Sequence, residues 1–197
     1  MKILFALFSY LFGSIPSGYI FFRISEHKDI RHFGSKSTGA TNILRLKGWR
    51  YAFPVLLMDF TKGFLPVFLA WRIFSDKKIA LVSAALAVLG HCFPVYIKFR
   101  GGKGLATTMG AYAVLAFKPF LMSLGIFLLA VGVSRYVSLG SILAVFSFPF
   151  FVLLLEGEKE VILLSLALLV LVLLKHTRNI KRLIHGEEKK IGERVRI

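Results

Sequence analysis

Seven apolar segments run through the chain, and they constrain its fold more than any other feature of the sequence. They cover residues 2–22, 51–73, 79–97, 104–117, 119–134, 139–155 and 160–176. Hydrophobic residues make up 56% of the 197 positions, more than a soluble domain of this length usually carries. A helix needs about 20 apolar residues, or about 17 at the short end, to cross the hydrocarbon layer of a membrane. We therefore predict an all-α fold: a polytopic transmembrane helical bundle of about seven membrane segments, some of them short, in a single domain over residues 1–197.

The distribution of charge predicts the orientation in the membrane. Lys and Arg number 26 against 10 Asp and Glu, which gives a formal net charge of +16. Most basic residues lie at 23–50, 98–103 and 175–197, whereas the turn at 156–160 is net acidic. Because cytoplasmic loops carry an excess of Lys and Arg, we predict the N-terminus outside and the C-terminus in the cytoplasm, with cytoplasmic segments at 23–50, 98–103, 135–141 and 177–197. Topology explains this charge pattern, so nucleic acid is not an expected partner.

A polar helix face within the first basic segment is suited to an oxyanion. Four residues follow the i, i+3, i+4, i+7 spacing and therefore share one face of a short helix: Thr38, Thr41, Asn42 and Arg45. Together they offer two hydroxyls, an amide and a guanidinium. Taken alone, the segment also fits an amphipathic helix that lies in the membrane interface.

Two further basic segments add anion-binding groups. Residues 99–104 form a glycine-rich turn, in which bare backbone N–H groups surround the positive charge of Lys103. His176 and Asn179 lie three residues apart at the end of the last apolar segment. Singly, these segments also fit a loop that anchors anionic lipid headgroups and an interfacial helix cap. Because all three segments are predicted on one side of the membrane, they can converge on one site for a phosphorylated ligand.

Other residues limit the chemistry. Asp59 and Lys62 lie one turn apart inside the second apolar segment, and we predict a structural ion pair. The sequence shows no histidine and acid spacing typical of a metal site, no G-x-S-x-G elbow and no H-x-x-x-x-D pattern. No metal or cofactor is therefore predicted, and an enzyme of this kind would depend on positioning and electrostatics, with a mild general base at most.

A small transporter or flippase for an anionic phosphorylated substrate is the alternative. Short helices near 36–47 and 104–117 would serve it as half-helices. Such a protein places its site at the bilayer midplane and usually contains an inverted repeat. The sequence shows no convincing repeat, and its polar groups cluster at one interface. These features favour an enzyme.

Four stretches, in this order along the chain, carry a resemblance to a known family. They are the segment 13–18, the segment 34–45, Gly90 and His91 together with 99–104, and the segment 176–180. In these stretches the chain resembles the bacterial acyl-phosphate:glycerol-3-phosphate acyltransferases, the PlsY family. The resemblance covers nearly the whole chain, and its constellation of motifs is specific although each motif alone is not.

The resemblance implies a multi-pass enzyme of the bacterial cytoplasmic (inner) membrane, with its active site on the cytoplasmic side. Such an enzyme moves a fatty acyl group from acyl phosphate to the 1-hydroxyl of sn-glycerol 3-phosphate, giving lysophosphatidic acid and phosphate. This is the first acylation step of bacterial phospholipid biosynthesis. The implied partners are glycerol 3-phosphate, fatty acyl phosphate and membrane lipid, and the resemblance leaves room for an enzyme that supplies acyl phosphate.

The resemblance also implies site residues. The catalytic set is Ser35, Arg45, Lys103, His176 and Asn179. Gly101, Gly102 and Gly104 are implied as substrate-binding residues, and to these we add Ser37, Thr41, Asn42 and Ser141 as predictions from the residues themselves. Glu187 is expected to support the fold, beside the Asp59–Lys62 pair. From the chemistry of the reaction, we expect the general base to be either His176 or the phosphate of the bound glycerol 3-phosphate.

Overall fold

Ten α-helices account for most of the residues that the structure describes. The computed structural model describes residues 1–195, and this part of the chain contains no β-strand. The helices are α1 (Lys2–Gly13), α2 (Ser17–Glu26), α3 (Ala40–Lys47), α4 (Trp49–Phe74), α5 (Lys77–Cys92), α6 (Leu105–Leu115), α7 (Phe117–Ser134), α8 (Val137–Leu155), α9 (Lys159–Lys175) and α10 (Thr177–Ile184). Short 3-10 turns lie at Ile30–His32 and Val95–Ile97. The predicted all-α class is confirmed.

Most of the apolar segments are long enough to cross a membrane. Five helical stretches of the described chain meet the length and composition of a span: Lys2–Glu26, Trp49–Phe74, Lys77–Ile97, Phe117–Ser134 and Val137–Leu155. The pair α9 and α10 is bent by 64° and makes a sixth if it counts as one span. Helix α6 has 11 residues and is shorter than the hydrocarbon layer. Each predicted apolar segment is thus helical over most of its length, while the number of crossings and their direction remain predictions.

The first apolar segment is broken near its end. Helix α1 ends at Gly13, and α2 begins only after Pro16. Proline lacks the N–H that would continue the helical hydrogen bonds, so the break follows from the sequence. The break places Ser17 at the first position of α2, where its hydroxyl hydrogen-bonds to Asp59 in α4.

Close packing of α4 against α6 holds the short helix in place. A Cβ at Gly63 would fall on the carbonyl oxygen of Thr107, and a Cβ at Gly110 would fall on that of Phe60. The two glycines therefore allow the backbones to approach more closely than larger residues would. In a membrane such contacts stabilise helix pairs through van der Waals packing, because lipid tails are as apolar as the side chains.

The largest cluster of buried apolar side chains joins α5, α6, α7, α8 and α9. It includes Val88, Tyr112, Phe148 and Leu168, and the rings of Tyr112 and Phe148 stack with their centroids 3.4 Å apart. Large apolar residues such as Val133 remain exposed on the outside of the bundle, at 81%. An apolar outer surface around a packed core is typical of helices that face lipid.

The predicted ion pair is present in the core. Lys62 Nζ lies 2.6 Å from Asp59 Oδ1, and both side chains are 3% exposed. Lys62 also donates to the Ser17 hydroxyl oxygen at 2.7 Å. With its charges paired and hydrogen-bonded, the cluster links α2 to α4 without leaving an isolated charge in the bundle.

The chain beyond α10 returns across the bundle. The Ile191 N–H donates to the Arg135 carbonyl at 2.7 Å, and the Val195 N–H donates to the Arg45 carbonyl at 2.9 Å. These bonds tie the tail to the α7–α8 junction and to α3. The tail thereby covers the side of the bundle where the predicted site residues lie.

Candidate active site

One cavity of about 280 Å³ brings the three predicted anion-binding segments together. It lies between α3, α4, α7, α8, the start of α6 and the α9–α10 bend. Its polar lining consists of Ser35, Ser37, Gly39, Thr41, Asn42, Arg45, Asp59, His91, Lys103, Gly104, Ser138, Ser141, His176, Asn179 and Glu188. Its apolar lining includes Leu44, Trp49, Ala52, Leu56, Leu105, Ala106, Phe127, Leu128, Val131, Val137 and Ile191. Cationic and hydroxyl groups therefore share one cavity with a large apolar wall.

Arg45 is fixed by the C-terminal tail. Its Nη2 atom donates to Glu188 Oε1 at 2.9 Å and to the Lys189 carbonyl at 3.0 Å. Glu188 also accepts from Asn179 Nδ2 at 3.0 Å and from Arg182 Nε at 2.7 Å. Burial raises the pKa of Glu188, but the hydrogen bonds from Arg182, Arg45 and Asn179 outweigh it and hold that pKa below its ordinary value. A charged carboxylate thus sets the position of the guanidinium.

The supporting carboxylate is Glu188 and not the predicted Glu187. Glu187 is exposed, whereas the Glu188 side chain is 1% exposed and makes the contacts just described. The chain turns at Gly186, whose φ of +71° suits glycine, and the Glu187 N–H then donates to the Arg182 carbonyl at 2.8 Å. This turn directs the second of the two adjacent acids inward. Sequence spacing alone could not distinguish between them.

Lys103 supplies a second positive charge in the cavity. Burial lowers the pKa of Lys103 from 10.5 to about 8; the nearby Glu188 carboxylate opposes this shift, while Arg45 and Arg182 add to it. The amine therefore carries its charge at pH 7 and loses it in mildly alkaline solution. A bound phosphate would favour the charged form.

Gly101 and Gly102, predicted to bind substrate, are not among the residues that line the cavity. The Gly102 N–H donates to the His91 carbonyl at 3.1 Å, so it is already used. A Cβ at Gly102 would collide with the His91 ring, and one at Gly101 would collide with the His91 carbonyl and with Pro94. These glycines let the turn lie directly on α5, which fixes the position of Lys103. Gly104, with φ of +90°, does line the cavity.

His91 is a residue of the site to which the sequence assigned no role. Its Nδ1 atom lies 3.6 Å from Asp59 Oδ1, and both residues line the cavity. The ring thus connects the buried Asp59–Lys62 pair to the glycine turn. The sequence feature that could have indicated this residue is a histidine near the end of an apolar segment, where ionisable side chains are often functional.

Asn42, predicted to bind substrate, lines the cavity but uses its amide group to hold a loop. Its Oδ1 accepts from the Ser35 N–H at 2.8 Å, and its Nδ2 donates to the carbonyls of Phe33 at 3.1 Å and Ser37 at 2.8 Å. Both amide protons are therefore used. The same bonds place Ser35 and Ser37 at the cavity, beside Thr41.

His176 has a defined tautomer. Its Nδ1 lies 2.8 Å from the Val172 carbonyl, which can only accept, so Nδ1 carries the proton. In the neutral form of the ring the lone pair is therefore on Nε2, as a proton acceptor needs. The residue is 2% exposed and lines the cavity together with Asn179.

Ser141, predicted to bind substrate, lines the cavity, but its hydroxyl donates to the Val137 carbonyl at 2.6 Å. Its proton is therefore used within α8.

Residues 1–195 contain no group of three or more His, Cys, Asp or Glu side chains placed to hold a metal ion.

Comparisons with known proteins agree over almost the full length. The family model described as glycerol-3-phosphate acyltransferase matches residues 3–186. Proteins named glycerol-3-phosphate acyltransferase from Endomicrobium trichonymphae and Prochlorococcus marinus strain MIT 9515 are each 43% identical; the first match covers 97% of this chain and 96% of the relative, the second 98% of both.

Two crystal structures of PlsY (YgiH), an integral membrane glycerol 3-phosphate acyltransferase, also match. The glycerol 3-phosphate form has a TM-score of 0.93 at 34% identity, covering 97% of this chain and 96% of that one. The lysophosphatidic acid form has a TM-score of 0.87 at 33% identity, covering 98% and 96%. On this sequence and structural similarity, the chain belongs to the glycerol-3-phosphate acyltransferase family and is an integral membrane protein.

Proposed function

We propose that the protein transfers a fatty acyl group from acyl phosphate to the 1-hydroxyl of sn-glycerol 3-phosphate, giving lysophosphatidic acid and inorganic phosphate. The observation that carries this proposal is a single cavity in which Arg45, Lys103 and His176 meet an apolar wall. Family membership supports an acyltransferase over the transporter or flippase alternative. In bacterial phospholipid biosynthesis this reaction is the first acylation step.

The charges of the cavity suit two phosphorylated substrates. Arg45 uses Nη2 for Glu188 and Lys189, and its guanidinium has further N–H donors for a phosphate. Lys103 acts as a point charge for a second phosphate. The low-dielectric surroundings strengthen both interactions. Holding two anions side by side is the main task of such a site.

The reaction is a direct acyl transfer. The hydroxyl oxygen of glycerol 3-phosphate attacks the carbonyl carbon of the acyl phosphate and forms the ester bond. The bond from that carbon to the phosphate oxygen breaks, and its electron pair leaves with inorganic phosphate. The hydroxyl proton passes to Nε2 of His176 or to the phosphate of glycerol 3-phosphate, whose second pKa is about 6.

Hydroxyl groups on the α3 side stabilise the charge that develops on the carbonyl oxygen. Ser35 and Thr41 both line the cavity and can donate to this oxygen. Asn179 acts through Glu188, to which its amide donates. The catalytic set proposed here is therefore Ser35, Arg45, Lys103 and His176, with Asn179 and Glu188 positioning Arg45.

The acyl tail lies along the apolar wall. Phe127 and Val131 line the cavity, and so does Leu128, which is 61% exposed on the outside of the bundle. Trp49 is likewise both a lining residue and exposed. The cavity is thus continuous with the surface that meets lipid, and a long tail can extend into the bilayer.

The proposed location is the bacterial inner membrane, with the site on the cytoplasmic side. The segments that build the site, within 23–50, 98–103 and 177–197, are rich in Lys and Arg, as cytoplasmic loops are. An enzyme that supplies acyl phosphate would then work on the same side. Cysteine labelling of Lys36→Cys in sealed vesicles, against Lys159→Cys in the acidic turn, tests this orientation.

Phosphate release by the purified protein in detergent tests the reaction. We expect release when acyl phosphate and glycerol 3-phosphate are both present, and no lysophosphatidic acid when an acyl thioester replaces acyl phosphate. Lys103→Ala should abolish most of the release, whereas the matched variant Lys98→Ala, in the same loop and exposed, should retain it. Equal release from the two variants would contradict the assigned site.

A further inference from the structure

Ser138 carries an unused hydroxyl at the edge of the cavity. The residue is 4% exposed and lines the cavity, and within residues 1–195 its buried Oγ has no hydrogen-bond partner. One turn later, the Ser141 hydroxyl is paired with the Val137 carbonyl. Leaving a buried hydroxyl unpaired is unfavourable, so its persistence at a cavity wall indicates a ligand that completes it.

The same place is the N-terminus of a long helix. Helix α8 has 19 residues, and no side chain caps its first turn. The helical hydrogen bonds of α8 begin at Gly140, whose N–H donates to the Tyr136 carbonyl at 3.2 Å. The N–H groups of residues 137–139 precede it, without partners inside the helix, and the helix dipole makes this end positive. Val137 and Ser138 both line the cavity, so the helix end lies at its wall.

The neighbouring wall is apolar. Phe127, Leu128 and Val131 of α7 line the cavity beside α8, and a Cβ at Gly140 would meet the Val131 side chain. Ser138 therefore lies where anion-binding groups give way to the surface suited to an acyl tail. Glycerol 3-phosphate has a phosphate but no tail, whereas acyl phosphate has both.

We propose that Ser138 and the backbone N–H groups of the first turn of α8 bind the phosphate head group of the acyl donor. The Ser138 hydroxyl donates to a phosphate oxygen, and the helix N-terminus stabilises its negative charge. Lys103 is then available for glycerol 3-phosphate. This inference rests on the proposed function, since it assigns one of that reaction's two substrates to a defined part of the cavity.

Steady-state kinetics of Ser138→Ala tests the proposal. We expect the KM for acyl phosphate to rise about tenfold or more, as expected for a lost hydrogen bond to a charged group, with an unchanged KM for glycerol 3-phosphate. Ser138→Thr keeps the hydroxyl and should restore most of the affinity. The matched control is Ser147→Ala in the same helix, whose hydroxyl donates to the Ala144 carbonyl at 3.0 Å and which is not among the residues lining the cavity.

A second variant keeps the test decisive if the alanine variant is unstable. Ser138→Asp places a carboxylate at a helix N-terminus, which favours folding, and fills the subsite with negative charge. We expect it to lower kcat/KM for acyl phosphate about 100-fold through repulsion. A KM for acyl phosphate unchanged in both variants, or a rise in the KM for glycerol 3-phosphate alone, would overturn the subsite. Wild-type protein that releases no phosphate from acyl phosphate would instead overturn the proposed function.

Discussion

Glu188 Oε1 lies 2.9 Å from Arg45 Nη2, and the two side chains are 1% and 7% exposed. The pair joins the C-terminal tail to α3 across 143 residues of sequence. A buried pair in which one partner is removed leaves an uncompensated charge. The tail is therefore part of the site, because without Glu188 the guanidinium loses the group that orients it.

Glu188→Ala should damage both folding and catalysis. Removing one partner of a buried ion pair typically costs about 3–5 kcal/mol, and Arg45 would also lose its fixed position. Thermal unfolding in detergent and kcat/KM for both substrates measure the two effects. Glu187→Ala is the matched control, since that side chain is exposed. Equal damage from the two variants would contradict the assignment to Glu188.

Lys103 should cause the activity to fall on the alkaline side of the pH–rate profile, which we call the alkaline limb. Its pKa of about 8 in the unliganded protein means that the positive charge is present below pH 8 and is lost as pH rises through this value. Because the charged form binds phosphate, kcat/KM for glycerol 3-phosphate should fall about tenfold per pH unit above the limb.

The variant Lys103→Arg tests whether Lys103 is the group that causes the alkaline limb. Lys103→Arg keeps its charge at every pH tested, so the limb should move to higher pH even where the absolute rate is reduced. Lys98→Arg should leave the profile unchanged. A limb near pH 8 that persists in Lys103→Arg would assign the titration to another group.

His176→Ala should lower kcat about 100- to 10,000-fold with smaller changes in KM, if Nε2 accepts the hydroxyl proton. In the neutral ring, the hydrogen bond from Nδ1 to the Val172 carbonyl, 2.8 Å long, leaves the lone pair on Nε2 for this role. Turnover of His176→Ala at the wild-type rate would show that the histidine is not the general base. The phosphate of glycerol 3-phosphate would then be the group that accepts the hydroxyl proton. His185→Ala, an exposed histidine beyond α10, is the control.

Gly102→Ala should raise the KM for glycerol 3-phosphate about tenfold. The added Cβ collides with the His91 ring, and overpacking of this kind costs about 1–3 kcal/mol and displaces the neighbouring Lys103. His91→Ala removes the ring that is struck. The double variant should therefore recover part of the affinity lost in Gly102→Ala, as a double-mutant cycle would measure. Strictly additive effects would contradict a direct role of the His91–Gly102 contact.

The class of fold could be predicted because membrane spans depend on the length of apolar runs. The break at Pro16 likewise follows from the chemistry of one residue. Segments 33–45, 99–104 and 176–179 could be brought to one side by charge alone, and the cavity contains residues from each.

Side-chain orientation within those segments could not be predicted. Asn42 shares a helix face with Arg45, but its amide turns back to the loop at 33–37. Ser138 and Ser141 lie on the same wall, and only their hydrogen bonds show which hydroxyl is unused. Such differences depend on tertiary contacts between distant segments, which spacing in one sequence does not encode.

The most direct test of the account is to follow both products in one reaction of the purified protein with acyl phosphate and glycerol 3-phosphate. The account predicts lysophosphatidic acid and inorganic phosphate in equal amounts, with neither formed when either substrate is omitted. Phosphate release that continues at the same rate without glycerol 3-phosphate, or the absence of lysophosphatidic acid when both substrates are present, would contradict it.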